Sequence, residues 1–338
     1  MLTSATSAAS HQTESPAETV FGVAGPFLRS LDTFLESQIA AFEPELREIV
    51  AFALQHSGKR LRPILLFFAG STDGRGYDER LVKAAAVVEL VHLATLVHDD
   101  ILDDAEVRHR EVTVAKRYGN SAAILSGDAL FAQALRLASD FETTLVCRLV
   151  SEATRKVCAG EVEQTFHRLA DTGSLETYFR VIDRKTAELF RVACALGYAL
   201  RDPSDLKGRE SAARFGRHLG LAYQIFDDLV DVFGSEEEAG KTLGTDVEGG
   251  KLTLPLLLLR ERLSEPDEGV VASWRTLNRE DLCRLLEIEG VPAAVSVYFN
   301  AELERARHAA GQLPVTGSRH CLFELVTTLE DRMRALTG

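Results

Sequence analysis

The chain has 338 residues, 46% hydrophobic and 26% charged, with 51 acidic against 38 basic side chains and a formal net charge of −13. That acidic balance excludes nucleic acid as the main partner, which would call for surplus Lys and Arg. The apolar and charged shares are those of a globular protein and exclude wholesale disorder or a fibrous architecture.

Residues 1–22 are rich in Ser, Thr and Ala, with no basic flank and no apolar stretch of signal-peptide length. They are expected to form a disordered tail, leaving 23–338 as a single domain with a cytoplasmic location. Apolar residues then recur at three and four positions, which predicts helices over 29–54, 63–70, 81–98, 121–138, 142–167, 175–200, 209–233, 252–263, 279–288, 292–312 and 318–336. The class is all-α. The segment from Leu81 to Thr95 and beyond is apolar around the whole helix, which marks it as central. Glu89 and His92 interrupt it, so no uninterrupted apolar run reaches the roughly 18 to 20 residues of a membrane span. The five cysteines, Cys147, Cys158, Cys194, Cys283 and Cys321, form no C-x-x-C pair and read as reduced thiols.

The chemistry-bearing residues follow the same order. In Ser57-Gly58-Lys59-Arg60-Leu61-Arg62-Pro63, basic side chains gather where Pro63 is placed to begin a helix, the arrangement of an anion site. His92 lies seven residues before Asp99 and eleven before Asp103, on nearly one helical face. The central helix ends in His98-Asp99-Asp100-Ile101-Leu102-Asp103-Asp104, and Gln224-Ile225-Phe226-Asp227-Asp228-Leu229-Val230-Asp231 repeats its carboxylate offsets in a second apolar segment. Like charges one turn apart repel and need a cation. Oxygen-only ligands too few to enclose an ion suit Mg2+, which keeps waters and shares phosphate oxygens with a substrate. Lys185-Thr186 falls within an apolar helix, where a lysine requires a counter-charge. Ten residues after the second acidic cluster, a loop from Gly240 to Lys251 with Lys241 and several glycines suits closure over a diphosphate.

In these motifs the chain resembles the trans-polyprenyl diphosphate synthases. The likeness runs roughly from 50 to 260, through GKRLRP at 58–63, ELVHLATLVHDDILD at 89–103, Arg108, AILSGDALFA at 123–132, GEVEQ at 160–164, KTAELF at 185–190, YQIFDDLVD at 223–231 and GKTLGTDVEGGKLTLP at 240–255. It implies an isoprenoid synthase-type helical bundle around a deep central cavity, usually dimeric. Such an enzyme condenses isopentenyl diphosphate with an allylic prenyl diphosphate and contacts membranes at most peripherally. By that likeness Asp99, Asp103 and Asp227, supported by Asp100 and Asp231, hold Mg2+ against the allylic diphosphate. Lys59, Arg62 and His92 match the isopentenyl diphosphate contacts, and Arg108, Lys185, Thr186, Gln224, Lys241 and Lys251 match the allylic side. The family usually has two adjacent arginines after the first acidic cluster; here His109 stands in the second place, between Arg108 and Arg110. A partly neutral imidazole binds diphosphate more weakly than a guanidinium. The small residues Ala94 and Thr95 stand where bulk stops chain growth in that family, which implies a product longer than farnesyl. A terpene cyclase is disfavoured by the all-aspartate second cluster. A non-catalytic partner subunit is disfavoured by the presence of both clusters.

Overall fold

The computed structural model describes residues 16–56, 58–108, 110–170, 173–239, 243–263 and 277–337. His109 and Lys241 therefore lie outside the described residues. The fold is all-α: the only strands among the described residues are Val107–Arg108 (β1) and Glu111–Val112 (β2), antiparallel with Val107 opposite Val112. Helix α1 spans Pro16–Gln38, so it begins inside the stretch that reads as a tail, and Val20 is already fully buried. Where the sequence predicts one helix over 29–54, the chain breaks at Phe42 and restarts as α2, Pro44–Gln55. Pro44 explains the break, since its ring suits the first helical turn and opposes continuation of the preceding one.

Helix α3, Leu61–Gly70, starts two residues before Pro63. Proline is tolerated there because the first four N–H groups of a helix have no intrahelical acceptor. Arg60 caps α3 in a left-handed conformation, φ 53° and ψ 33°, which is strained for a residue with a Cβ. Three contacts hold it: Nη1 donates to Glu89 at 2.8 Å, Nη2 to the Leu54 carbonyl at 3.2 Å, and Asp32 lies 3.3 Å away. Glu89, the charge inside the apolar α4, is thus paired.

Helix α4, Glu79–Leu102, opens on an Asp78 cap that accepts from the Leu81 N–H. By length and composition alone its most apolar window would pass for a membrane span, although Glu89 and His92 interrupt it. Yet 72% of that window is buried inside the protein, so its all-round apolarity is that of a core helix. A short α5, Val114–Tyr118, leads into α6, Asn120–Ser139, which packs along α4, and α7, Leu145–Ala170, follows. All five cysteines are free.

The predicted helix over 175–200 is three pieces: α8, Leu175–Ile182, a π-helical turn at Asp183–Ala187, and α9, Glu188–Arg201. Glycines on two neighbours admit this widened turn. A Cβ on Gly160 of α7 would meet the Lys185 backbone nitrogen at 2.9 Å, and one on Gly220 of α10, Leu206–Phe233, would meet the Ala187 Cα at 2.8 Å. Arg217 then fixes the turn, donating from Nε to Asp183 Oδ1 at 2.6 Å and from Nη2 to Oδ2 at 3.1 Å. Helix α9 packs against both α3 and α10, and glycine makes each approach possible: a Cβ on Gly197 would collide with the Leu66 carbonyl of α3, and one on Gly216 with the Phe190 carbonyl of α9. The helices Val291–Gly311 and Gly317–Thr337 complete the bundle around α10.

Because those neighbours are backbone atoms that cannot rotate away, Gly197→Ala and Gly216→Ala are each expected to lower stability by about 1–3 kcal/mol. Gly311→Ala, where no atom lies within 4 Å of the added carbon, is the control that should not lower it; urea unfolding midpoints compare the three.

Candidate active site

The first acidic cluster closes α4, and its three carboxylates have distinct surroundings. Asp99 lies 3.6 Å from Lys185 Nζ, and that lysine also pairs with Glu161 and donates to Gln164 at 2.9 Å. The π-helical turn thereby delivers Lys185 between α4 and α7. Burial, opposed by Lys185, pushes the Asp99 carboxyl up to about 6. Asp100 is buried and accepts from Arg108 Nε at 2.6 Å, so β1 folds back onto α4. Burial raises the Asp100 carboxyl while Arg108 opposes it. Asp103 accepts from Lys251 at 2.8 Å, with Arg168 3.4 Å away. Burial works against its charge as well, but Lys251, Lys185 and Arg168 outweigh that cost and its pKa falls below the usual value.

The second cluster occupies the last turns of α10. Asp227 is half-buried, whereas Asp228 and Asp231 are buried. Asp231 accepts from the Asp246 N–H at 3.2 Å, and its own carbonyl accepts from the Gly244 N–H at 3.0 Å, which fold the following segment back over α10. Asp228 accepts from the Tyr178 hydroxyl at 2.6 Å and from Gln224 Nε2 at 2.7 Å, and Gln224 Oε1 accepts from the Thr186 hydroxyl at 2.7 Å. Burial and the charges of Asp246 and Asp227 raise the Asp228 carboxyl, while the two donors pull it back. Lys251 joins the clusters, since it lies 3.4 Å from Asp246 as well as 2.8 Å from Asp103. A chain Asp103–Lys251–Asp246–Asp231 therefore brings the two acidic motifs to one end of the bundle.

A basic group is built separately around α3. Arg62 Nη1 is 2.9 Å from His92 Nε2, and its guanidinium stacks on the Phe190 ring at 4.8 Å. Its Nε is buried with no hydrogen-bond partner, a donor whose desolvation an incoming anion would offset. Lys59 is depressed by partial burial and by nearby Arg332. Arg332 comes from the C-terminal helix and lies over the Phe226 ring at 4.8 Å. Lys59, Arg62 and Arg332 together make a cationic patch suited to a polyanion.

The structure separates the two residues proposed to set chain length. Ala94 is fully buried, whereas Thr95 is half-buried one turn before Asp99, its hydroxyl donating to the His92 carbonyl at 2.7 Å. Arg110, next to His109, turns elsewhere and donates to the Glu237 carbonyl beyond α10. Sequence reasoning quoted Glu161 and Gln164 only within the GEVEQ motif, without a role, and did not select Arg168, although the spacing of three and four along α7 is that of one helical face. Asp246 lay in a quoted motif without a role, whereas Tyr178 and Arg332 had no local signal; tertiary packing brings all three to the site.

The donor set fits a divalent cation in a particular way. Among the described residues no three His, Cys, Asp or Glu side chains converge to enclose an ion. The carboxylates lie instead in two groups at one end, an arrangement that leaves coordination positions to water and to a phosphate-bearing ligand.

The chain is similar to known proteins over most of its length. A family profile described as polyprenyl synthetase matches residues 43–281. The chain is 38% identical over 224 residues to heptaprenyl diphosphate synthase component 2 of Bacillus subtilis, covering 66% of this chain and 64% of that relative. To the protein of the same name from Geobacillus stearothermophilus it is 32% identical over 327 residues, 90% of this chain and 99% of the relative. The crystal structure of a polyprenyl synthase from Caulobacter crescentus, complexed with calcium and isoprenyl diphosphate, superposes with a TM-score of 0.85 at 27% identity, covering 94% of this chain and 98% of that one.

The electrostatics give a prediction for the metal-free protein. A folded-state pKa near 6 against an ordinary value of 3.8 means that Asp99 holds its proton longer when folded than when unfolded. Stability is then lost as pH rises from about 4 through about 6 and stays lost above. Asp99→Asn removes that cost, so in excess chelator the variant should melt a few degrees above the wild type at pH 8 and with no gain at pH 4. Thermal unfolding at the two pH values checks this.

Proposed function

The chain belongs to the polyprenyl synthetase family, and from that premise we propose that it is a trans-prenyltransferase joining isopentenyl diphosphate to an allylic prenyl diphosphate with release of diphosphate. The observation that carries this reading is the joining of two acidic clusters through Lys251 and Asp246, beside a separate basic patch with an unsatisfied buried Arg62 donor. Two diphosphates, one met through metal and one met directly by cations, are the substrates such an arrangement accommodates. The chain from Pro16, with Val20 already in the core, acts as one catalytic domain in the cytoplasm. The product is longer than farnesyl, in keeping with the heptaprenyl diphosphate synthase relatives.

Asp99, Asp103 and Asp227, with Asp100 and Asp231 behind them, are the residues that would hold Mg2+. When bound, the metal neutralises charge growing on the departing diphosphate. Arg108, Lys185, Lys241 and Lys251 add fixed positive charge to the same group. Lys59, Arg62 and His92 hold the second diphosphate, with His109 beside Arg108 as a weaker anion contact than arginine. Asp100 keeps Arg108 oriented through its 2.6 Å bond, and Glu161 and Gln164 do the same for Lys185. As the allylic carbon–oxygen bond breaks, positive charge develops on the allyl group near Thr186 and Gln224. The isopentenyl double bond attacks it, a new carbon–carbon bond forms, and a proton leaves to the released diphosphate. The small side chain of Thr95, with Ala94 behind it, leaves the floor open for the chain to grow past.

Exposed apolar side chains on α6 (Ile124, Leu125, Leu135) and α7 (Val162, Phe166) support a homodimer in which a second copy covers them. A peripheral membrane contact serves release of the long product. The designation of both heptaprenyl relatives as component 2 favours, as a second reading, assembly with a different subunit.

Incubating the purified protein with Mg2+, labelled isopentenyl diphosphate and geranyl, farnesyl or geranylgeranyl primers should yield linear chains longer than farnesyl. No incorporation by the folded protein alone would favour the two-component reading. Asp103→Asn and Asp227→Asn should each cut kcat by about 10²–10³-fold. Thr95→Phe should shorten the product sized by chromatography, and Ala94→Phe should do so by pushing the helix face inward; an unchanged distribution in both would remove these residues from length control.

A further inference from the structure

We propose that Tyr178 and Asp228 are positioning residues that set the polarity of the Gln224 amide and, through it, the direction of the Thr186 hydroxyl. The inference rests on the prenyltransferase reading and concerns two side chains to which that reading gives no task. Both are buried, Tyr178 in α8 and Asp228 in α10. They meet through a 2.6 Å hydrogen bond donated by the Tyr178 hydroxyl.

The donor and acceptor inventory decides the rest. Oδ2 of Asp228 accepts from the Tyr178 hydroxyl at 2.6 Å, and Oδ1 accepts from Gln224, which presents Nε2 to it at 2.7 Å. With its nitrogen committed, the amide turns Oε1 toward Thr186, whose hydroxyl donates to it at 2.7 Å. A threonine hydroxyl has one hydrogen, and here that hydrogen is spent inside the protein. What Thr186 offers to the substrate side is therefore lone pairs. A relay of three hydrogen bonds, Tyr178 to Asp228, Gln224 to Asp228 and Thr186 to Gln224, thus aims electron-rich oxygen at the region where positive charge develops on the allyl group. Dipoles fixed before the reaction stabilise such charge without having to reorganise. The same hydroxyl with its hydrogen outward would oppose that charge.

The arrangement explains why the second acidic cluster has an aspartate at its middle position. Asp228 is enclosed by Tyr178 and Gln224, and both of its oxygens accept from the protein. The π-helical turn matters here too, because it carries Thr186 immediately before Ala187, where α10 approaches at Gly220. Without that close approach the hydroxyl could not reach Gln224.

Two shape-preserving variants test the proposal. Tyr178→Phe removes one donor and loosens the carboxylate. Asp228→Asn reverses the polarity: with Tyr178 on the asparagine oxygen, the new amide nitrogen faces Gln224, which must turn its own oxygen toward it and its NH2 toward Thr186. We expect kcat to fall by about 10-fold in Tyr178→Phe and about 100-fold in Asp228→Asn. KM for both diphosphates and the Mg2+ concentration for half-maximal rate should stay within about twofold of wild type. The double variant should lose little more than Asp228→Asn alone, because both changes act on one relay. An unchanged kcat in Tyr178→Phe overturns the proposal. So does a rate in Asp228→Asn that high Mg2+ restores, which would make Asp228 a metal ligand, or a loss that tracks a lowered melting temperature and disappears on cooling, which would make the pair merely structural. A wild-type protein that condenses no primer overturns the prenyltransferase reading itself, whereas an active wild type with an equally active Tyr178→Phe overturns only the relay.

Discussion

The architecture depends on one electrostatic constraint: carboxylates placed at the ends of two apolar helices must be neutralised where water cannot do it fully. The protein meets this demand with its own cations. Lys185 stands by Asp99, Arg108 by Asp100, and Lys251 with Arg168 by Asp103. Each of these cations comes from a different part of the chain, so the acidic end of α4 gathers the β-hairpin, α7, the π-helical turn and the segment after α10 around itself. Removing one of these cations would leave a buried carboxylate uncompensated, which costs far more than an exposed ion pair is worth.

The backbone has been shaped to allow that gathering. The π-helical turn inserts an irregularity into an otherwise ordinary helix just where Lys185 and Thr186 must project, and it exists because Gly160 and Gly220 let two neighbours come close. A comparable irregularity holds the basic patch: Arg60 sits in a left-handed conformation so that Lys59 precedes the turn and Arg62 follows it. The cost of that strain is met by the Glu89 pair inside the core. Irregular backbone at functional positions, supported by regular structure around it, is a common way of aiming side chains.

Much of the fold was legible because helices announce themselves locally. The apolar spacing of α6 predicted 121–138 against an observed Asn120–Ser139, and 279–288 coincides with Arg279–Ile288. Failures came where a neighbour or a single residue overrode the pattern. Pro44 split one predicted helix, the π-helical turn interrupted another, and Val20 is packed into the core within a stretch whose composition resembles a tail. The two acidic clusters were legible for a similar reason, since repeated carboxylates one turn apart in apolar surroundings are costly and therefore informative. Arg168 shares a helical face with Glu161 and Gln164 of the GEVEQ motif, a signal that could have singled it out. Tyr178 could not, because a tyrosine in an amphipathic helix carries no mark of what its hydroxyl will meet.

The sequence by itself determined the class of fold, the two acidic motifs, the basic turn and their resemblance to a family, because each depends on periodicities within a few turns of chain. Tertiary structure alone decided which cation answers which carboxylate, that the Asp103 and Asp231 ends meet through Lys251 and Asp246, and which way the Gln224 amide faces. Those outcomes depend on groups far apart in sequence coming within hydrogen-bonding distance, and a hydrogen bond's direction is set only when every donor and acceptor around it is in place.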